Sequence, residues 1–234
     1  ETASRLRGRL ESLFSQAIAE ELIQTNPATW KDGLAFFLPP ISKVHEVKHH
    51  EAMPLTELKS FAPEIATKTS VVARATLFGI LTATRAQEFL GAQWDEIDFD
   101  NSTWTIPATR MKCGIEHRVP LSKQAIMILK SLPYKKDGFV FASRTGRHIS
   151  KETPRLTILR HFGFGTMHGF RSTFRDWAAE TGIDRVLAEK SLMHATGNEV
   201  EQAYQRSDLL EQRRPVLQAW ADAIYPMPDK EENG

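Results

Sequence analysis

Leu6, Leu10, Leu13, Phe14, Ile18 and Leu22 recur between charged residues at three- and four-residue steps. That spacing places them on one face of a helix over residues 3–23, because an α-helix turns every 3.6 residues. Asn26-Pro27 is the expected stop, since the residue before a proline avoids helical angles. A short second helix is expected over 30–37, ended by Pro39-Pro40. Residues 41–54 carry no clean period and read as a linker. From residue 55 the helical period returns, with Thr56 as the expected N-cap of the first helix. Residues 70–82 form a long apolar stretch and read as a buried helix. A short helix over 88–94 leads into an acidic turn. Residues 102–107 and 117–120 read as two strands joined around Cys113-Gly114, and Phe139-Val140-Phe141 as a short third strand. Further helices are expected at about 122–132, 150–160, 168–180, 185–193 and 208–224, with a loose tail from 226. The fold class is therefore mainly α with a small antiparallel sheet (α+β).

Composition narrows the class without naming a function. The chain has 234 residues, enough for one full domain plus a smaller piece. No apolar run reaches membrane-spanning length, and no signal peptide is visible, which fits a cytoplasmic protein. The single cysteine, Cys113, excludes an internal disulfide and fits a reducing compartment. It reads as a hairpin residue rather than a reactive thiol. The first residue is Glu1, and the opening reads as the middle of a longer chain, a fragment or proteolytic core.

Net charge is only +1, so bulk charge does not announce a polyanion partner. Its distribution does. Arg144, Arg147, Lys151, Arg155 and Arg160 face Glu152 alone within residues 144–160. Arg110, Lys112, Arg118 and Lys123 stand against Glu116 within residues 110–123. Segregated basic clusters are an electrostatic footprint for nucleic acid, although each alone also fits an ordinary solvated face. His45, His49 and His50 invite a metal reading, but no cysteine or carboxylate set supports it. A linker lying against DNA or solvent is the preferred reading.

The candidate chemistry is an ordered set: Arg85, Lys112, His168-x-x-Arg171, His194 and Tyr204. It supplies cations, proton donors and one phenol nucleophile, which is what in-line attack on a phosphodiester needs without a metal. Guanidinium forks match the equatorial phosphate oxygens, so Arg85 and Arg171 are assigned to them. Each residue also has a plainer reading. Arg85 and Glu88 are three apart and fit a structural ion pair. Lys112 fits a solvated hairpin lysine, His194 a structural helix-end histidine, and Tyr204 a packing residue. Of the three tyrosines, Tyr134 and Tyr225 do not follow a histidine at short spacing.

This set, with the strings TWTIPATRMK, HRVPLS, HGFRSTFRDWA and AYQRSDLLEQRR, resembles the tyrosine recombinases, the phage-integrase family. The strings are similar to integrases carried by prophages and genomic islands. The resemblance covers about residues 50–225 and implies the DNA breaking-rejoining enzyme fold. It divides the chain into the closing helices of a core-binding domain (1–40), a linker (41–54), a catalytic domain (55–225) and the tail (226–234). The arm-site DNA-binding domain usual in such integrases is not in this sequence. One departure is Ala83, where many relatives carry glycine.

The resemblance implies site-specific integration or excision through a 3′-phosphotyrosyl intermediate formed by Tyr204. Arg85, Arg171 and His194 hold the phosphate, His168 assists as acid or base, and Lys112 protonates the departing 5′ oxygen. Glu88 supports Arg85. Arg110, Arg118, Arg144, Arg147 and Lys151 are expected to contact DNA. It further implies double-stranded attachment sites as partner, a homotetramer on DNA from an isolated monomer, an accessory excision factor, and neither metal nor cofactor. Type IB topoisomerase-like relaxation and a non-catalytic DNA-binding module with this fold are the alternatives.

Overall fold

The computed structural model describes residues 2–31, 33–39, 52–134, 137–194 and 207–227. The chain divides into two compact units, residues 1–49 and 50–234. The expected linker histidines His45, His49 and His50, the tail from residue 228, and Tyr204 lie outside the described residues.

In the first unit, helix α1 spans Thr2–Ala19. It closes before Asn26-Pro27, contrary to the expected boundary. Glu21 turns left-handed (φ 59°), and the N–H groups of Glu21 and Leu22 reach back to the carbonyls of Ile18 and Ala17, each at 2.9 Å. That backbone pattern ends a helix without help from proline. Asn26 instead ties the returning chain to α1, donating to the Glu11 carbonyl at 2.8 Å and to Ser15 Oγ at 3.0 Å. The helix expected over 30–37 is one 3₁₀ turn, Leu34–Phe36, because Gly33 (φ −145°, ψ −103°) breaks the helical run before it.

The second unit is built around helix α3. Helices α2 (Leu55–Ala66) and α3 (Val71–Leu81) come first, then the short α4 (Ala86–Leu90). Strands β1 (Ile97–Asp98), β2 (Thr103–Ile106) and β3 (His117–Pro120) follow. Helices α5 (Lys123–Lys130), α6 (Glu152–Phe162), α7 (Met167–Glu180), α8 (Arg185–Ser191) and α9 (Leu210–Ile224) complete it. Ser70 caps α3 by accepting from the Ala73 N–H at 3.2 Å. Nearly every residue of α3 from Ala73 to Leu81 is buried, so it needs cover on all sides. It packs against α2, α4, α5, α6, α7 and α9.

Aromatic side chains fill the space around that helix. Phe78 lies 5.5 Å from Trp104 and 5.3 Å from Phe141, centroid to centroid. On the other side Trp220 of α9 contacts Phe174 and Trp177 of α7 and donates its indole N–H to the Ile80 carbonyl at 2.9 Å. That bond satisfies a polar ring that is otherwise fully buried.

The sheet has the order β1-β2-β3 and is antiparallel throughout, with Trp104 opposite Ile97 on one side and Val119 on the other. Two expectations fail here. The third strand is β1, within the stretch read as an acidic turn. Residues 139–141 form only an isolated bridge, Phe139 with Gln93, and Val140 donates to the Ala92 carbonyl at 2.8 Å. Phe141 is buried, but burial of a short apolar run does not specify ladder pairing. Thr56 is likewise not the cap of α2; Pro54 holds that position without a side-chain bond.

Gly79 lets α3 and α4 approach closely. A Cβ added there lands 2.6 Å from Phe89 Cδ1. Gly79→Ala gains roughly 1 kcal/mol of helix propensity. Overpacking costs roughly 1–3 kcal/mol and outweighs it. The expected result is a lower urea midpoint at unchanged slope. A raised midpoint would show that Phe89 moves aside freely.

Candidate active site

Arg85 follows α3 and is the N-cap residue of α4, with its backbone extended (φ −75°, ψ 152°). Glu88 holds it twice. One carboxylate oxygen accepts from the Arg85 backbone N–H at 2.7 Å, the other from Nη1 at 2.9 Å. Nη2 reaches the Met193 carbonyl at 3.4 Å. Glu88 is 3% exposed, whereas the Arg85 side chain keeps 31% of its surface. The ion pair and a ligand-binding role are therefore compatible, since Glu88 orients a guanidinium that still faces outward.

Arg171 projects from the buried stripe of α7, between Met167, Phe170 and Phe174, and is 4% exposed. Nη1 donates to the Ala83 carbonyl, Nη2 to the Leu192 carbonyl at 2.5 Å, and Nη2 also meets His194 Nε2 at 3.2 Å. Nε is buried without a hydrogen-bond partner among the described residues. Burial, then the neighbouring charge of Arg85, pushes its pKa down to about 10, against the pull of Glu88 and Glu189. It stays charged at neutral pH.

His194 sits just past α8. Met193 is left-handed (φ 50°), and the N–H groups of Met193 and His194 return to the carbonyls of Lys190 (3.2 Å) and Glu189 (2.9 Å). This helix-ending motif swings His194 back over the helix. Its Nδ1 meets Glu189 Oε2 at 2.7 Å. Burial, reinforced by Arg171 and Arg85, holds the imidazole below its usual pKa, against the hydrogen bond it makes to Glu189.

The structure thus brings Arg85, Glu88, Arg171 and His194 together. His168 is exposed at the second position of α7, after Thr166 caps the helix. Lys112 is exposed in the turn between β2 and β3. Arg144, Arg147 and Lys151 are exposed as well. Arg110 and Arg118 are engaged with protein groups. Arg110 donates to the Glu88 carbonyl at 3.0 Å and pairs with Glu96, so it braces the α4 end of the site. Arg118 forms a two-bond fork with Asp208, both bonds at 2.8 Å. Among the described residues, no group of three or more His, Cys, Asp or Glu is placed to hold a metal ion.

Four further residues were not singled out by the sequence. Glu189 Oε2 meets His194 Nδ1. Asp208 takes Arg118. Arg213, 1% exposed, donates to the carbonyls of Asp208 and Arg118, both at 2.8 Å. Its signal was available: with Leu210, Leu217, Trp220 and Ile224 it falls on the apolar stripe of α9, where an arginine needs partners. The Glu189–His194 spacing of five has no such signal, because it depends on the left-handed turn at Met193. His117 of β3 is buried, and its Nε2 has no partner among the described residues. Burial, then the charges of Arg213 and Arg171, pushes its pKa down to about 3.

A mainly helical domain with a three-stranded antiparallel edge, and two guanidiniums converging with a histidine, defines the catalytic-domain fold of tyrosine recombinases. Solved structures share it. A lambda integrase tetramer bound to a Holliday junction superposes with TM-score 0.58 at 18% identity, covering 86% of this chain and 58% of that one. The Tn1549 transposon integrase in complex with circular intermediate DNA gives TM-score 0.58 at 16% identity, covering 87% and 74%. The sequence pattern of the phage integrase family matches residues 53–210. This chain belongs to that family. It is 34% identical to prophage integrase IntA of Escherichia coli K12, over 96% of this chain and 54% of that protein. It is 31% identical to the integrase of Enterobacteria phage P4, over 96% and 55%. The chain spans about half the length of these relatives.

The buried neutral His117 makes stability depend on pH. The unfolded histidine takes a proton near pH 6.5, the folded one only near 3. The unfolded state therefore binds more protons between these values, and stability, complete above 6.5, falls as pH falls toward 3. About 3 kcal/mol is lost between pH 6.5 and 4 from this group. His117→Gln removes that share of the slope in denaturant titrations. Parallel slopes in the two proteins would mean that His117 protonates in the folded state.

Proposed function

We propose that this chain is the catalytic part of a site-specific DNA recombinase that cleaves and rejoins DNA through a 3′-phosphotyrosyl intermediate. The observation that carries this reading is the convergence of Arg85 and His194, just past the ends of α3 and α8, on Arg171 of the buried stripe of α7. Arg171 retains a buried Nε donor, and Arg85 remains open to solvent. Donors fixed in a partly desolvated recess stabilise the charge that develops on non-bridging phosphate oxygens.

Tyr204 Oη attacks phosphorus, and the bond from phosphorus to the 5′ oxygen breaks. The phenol proton passes to His168, and Lys112 Nζ supplies the proton taken up by the 5′ oxygen. A 5′ hydroxyl from the partner duplex reverses the step and reseals the strand. The bond energy is kept in the phosphotyrosine, so the reading requires neither nucleotide hydrolysis nor a metal. Arg144, Arg147 and Lys151 serve as exposed phosphate contacts. The working unit is a homotetramer on two double-stranded attachment sites in the bacterial cytoplasm, with an accessory factor biasing excision. A solved relative of the same fold is a tetramer on a Holliday junction, which supports this assembly.

Covalent trapping tests it. The chain, extended upstream to include the complete core-binding domain, is mixed with a nicked duplex bearing the end of its host element, without metal. A slow, protease-sensitive band on a denaturing gel is expected, and Tyr204→Phe abolishes it. No band from the extended chain leaves a DNA-binding module. Adducts and relaxation on any supercoiled duplex, without paired sites, indicate a topoisomerase instead.

Lys112→Ala is expected to slow cleavage by roughly 10²–10⁴-fold, the usual weight of general-acid help. A substrate with sulfur in the 5′ bridging position departs without a proton and restores the rate. Equal loss on both substrates removes Lys112 from the proton transfer.

A further inference from the structure

We propose that Glu189 is the positioning residue of His194: it fixes the ring through Nδ1 and supplies the counter-charge that lets Nε2 carry a proton toward a phosphate oxygen. This role rests on the phosphoryl-transfer reading above.

The argument starts from hydrogen-bond inventory. A carboxylate only accepts, so the 2.7 Å contact between Glu189 Oε2 and His194 Nδ1 requires the proton on Nδ1. A guanidinium only donates, so the 3.2 Å contact with Arg171 Nη2 requires a lone pair on Nε2. The ring is therefore neutral in this structure, in a single tautomer, with Nε2 turned toward the two arginines.

A phosphate oxygen also only accepts. For His194 to hold one, Nε2 has to gain a proton, and the ring becomes an imidazolium. Arg171 from α7 and Arg85 at the start of α4 oppose that second proton, and so does burial. Glu189 from α8 favours it, as the group in direct contact with the ring. Glu88 acts at one remove, through its ion pair with Arg85. The incoming phosphate tips the balance by neutralising the arginines, and Glu189 makes the tipping possible near neutral pH.

The backbone builds this pairing independently of any ligand. Glu189 and His194 already share a 2.9 Å bond from the His194 N–H to the Glu189 carbonyl, across the left-handed Met193. The main chain caps the helix, so the side-chain carboxylate is not needed for that task. It is 17% exposed and directed at the ring.

Two variants separate charge from structure. Glu189→Gln keeps an oxygen to accept from Nδ1 and loses the charge. Glu189→Ala loses both. In the protein without DNA, the titration of His194 is followed by NMR of the imidazole carbons and nitrogens, assigned by its loss in His194→Asn. Glu189→Gln is expected to weaken proton affinity at His194 by at least about tenfold. In covalent trapping, the alkaline limb of the rate profile moves to lower pH in Glu189→Gln, and the rate below that limb returns toward the parent value. Glu189→Ala is slower at every pH. An unmoved titration midpoint, or a uniform loss of rate with an unmoved limb, overturns the proposal, because a merely structural glutamate changes neither. If the parent chain forms no adduct, the recombinase reading fails by itself, and the NMR titration still decides the role of Glu189.

Discussion

A buried guanidinium is the constraint around which this domain is arranged. Arg171 lies in the apolar stripe of α7, where a charge costs several kcal/mol unless polar groups surround it. Direct support comes from two carbonyls, Ala83 after α3 and Leu192 after α8, and among the described residues no carboxylate bonds it. Carbonyl dipoles solvate the charge without neutralising it. The recess therefore keeps a net attraction for anions, with Glu88 and Glu189 close enough to moderate it. The ends of α3 and α8 meet over α7 because one side chain needs both of them.

The two arginines account for two unfavourable backbone positions. Ala83 and Met193 both take left-handed angles (φ 50°) that favour glycine. Each costs about 1 kcal/mol of strain. Each lies at the turn that aims a carbonyl at an arginine: Ala83 itself toward Arg171, Met193 toward Arg85. A glycine at position 83 would take this backbone angle without that strain. Alanine leaves the carbonyl, and so the contact with Arg171, in place.

Periodicity made the helices legible because burial here is one-sided for most and complete for α3. Ser70 and the apolar run after it gave α3 almost to the residue. Pairing was less legible. Phe139-Val140-Phe141 has strand composition, yet its backbone bonds go to the loop at 92–94, and the third strand is the two-residue Ile97–Asp98. Ladder pairing is a tertiary choice that three apolar residues do not encode. Among site residues, order and residue type singled out Arg85, Arg171 and His194. Their supports were hidden, since Glu189 reaches His194 only through a left-handed turn. Arg110 looked like a surface cation, and becomes a brace only once β2 and α4 are adjacent.

That brace shows how precision reaches the site. Glu96 accepts from the Trp104 indole at 3.0 Å and from the Gln93 N–H at 3.2 Å, and it pairs with Arg110. Arg110 in turn holds the Glu88 carbonyl, and Glu88 holds Arg85. A second line runs from β3. Arg118 forks onto Asp208, whose carboxyl stays below its usual pKa although burial opposes ionisation. Arg213 joins the carbonyls of both residues, and Lys190 Nζ donates to the Ser207 carbonyl at 2.7 Å. Ser207 is three residues beyond Tyr204 in sequence, and Arg118 is six beyond Lys112. In the recombinase reading, residues 207–208 on the flank of the nucleophile and the strand leaving the general acid are therefore fastened to each other by the Arg118–Asp208 pair and by Arg213. Exposed pairs contribute little to stability. The value of this one lies in register, because it fixes residue 208 against β3.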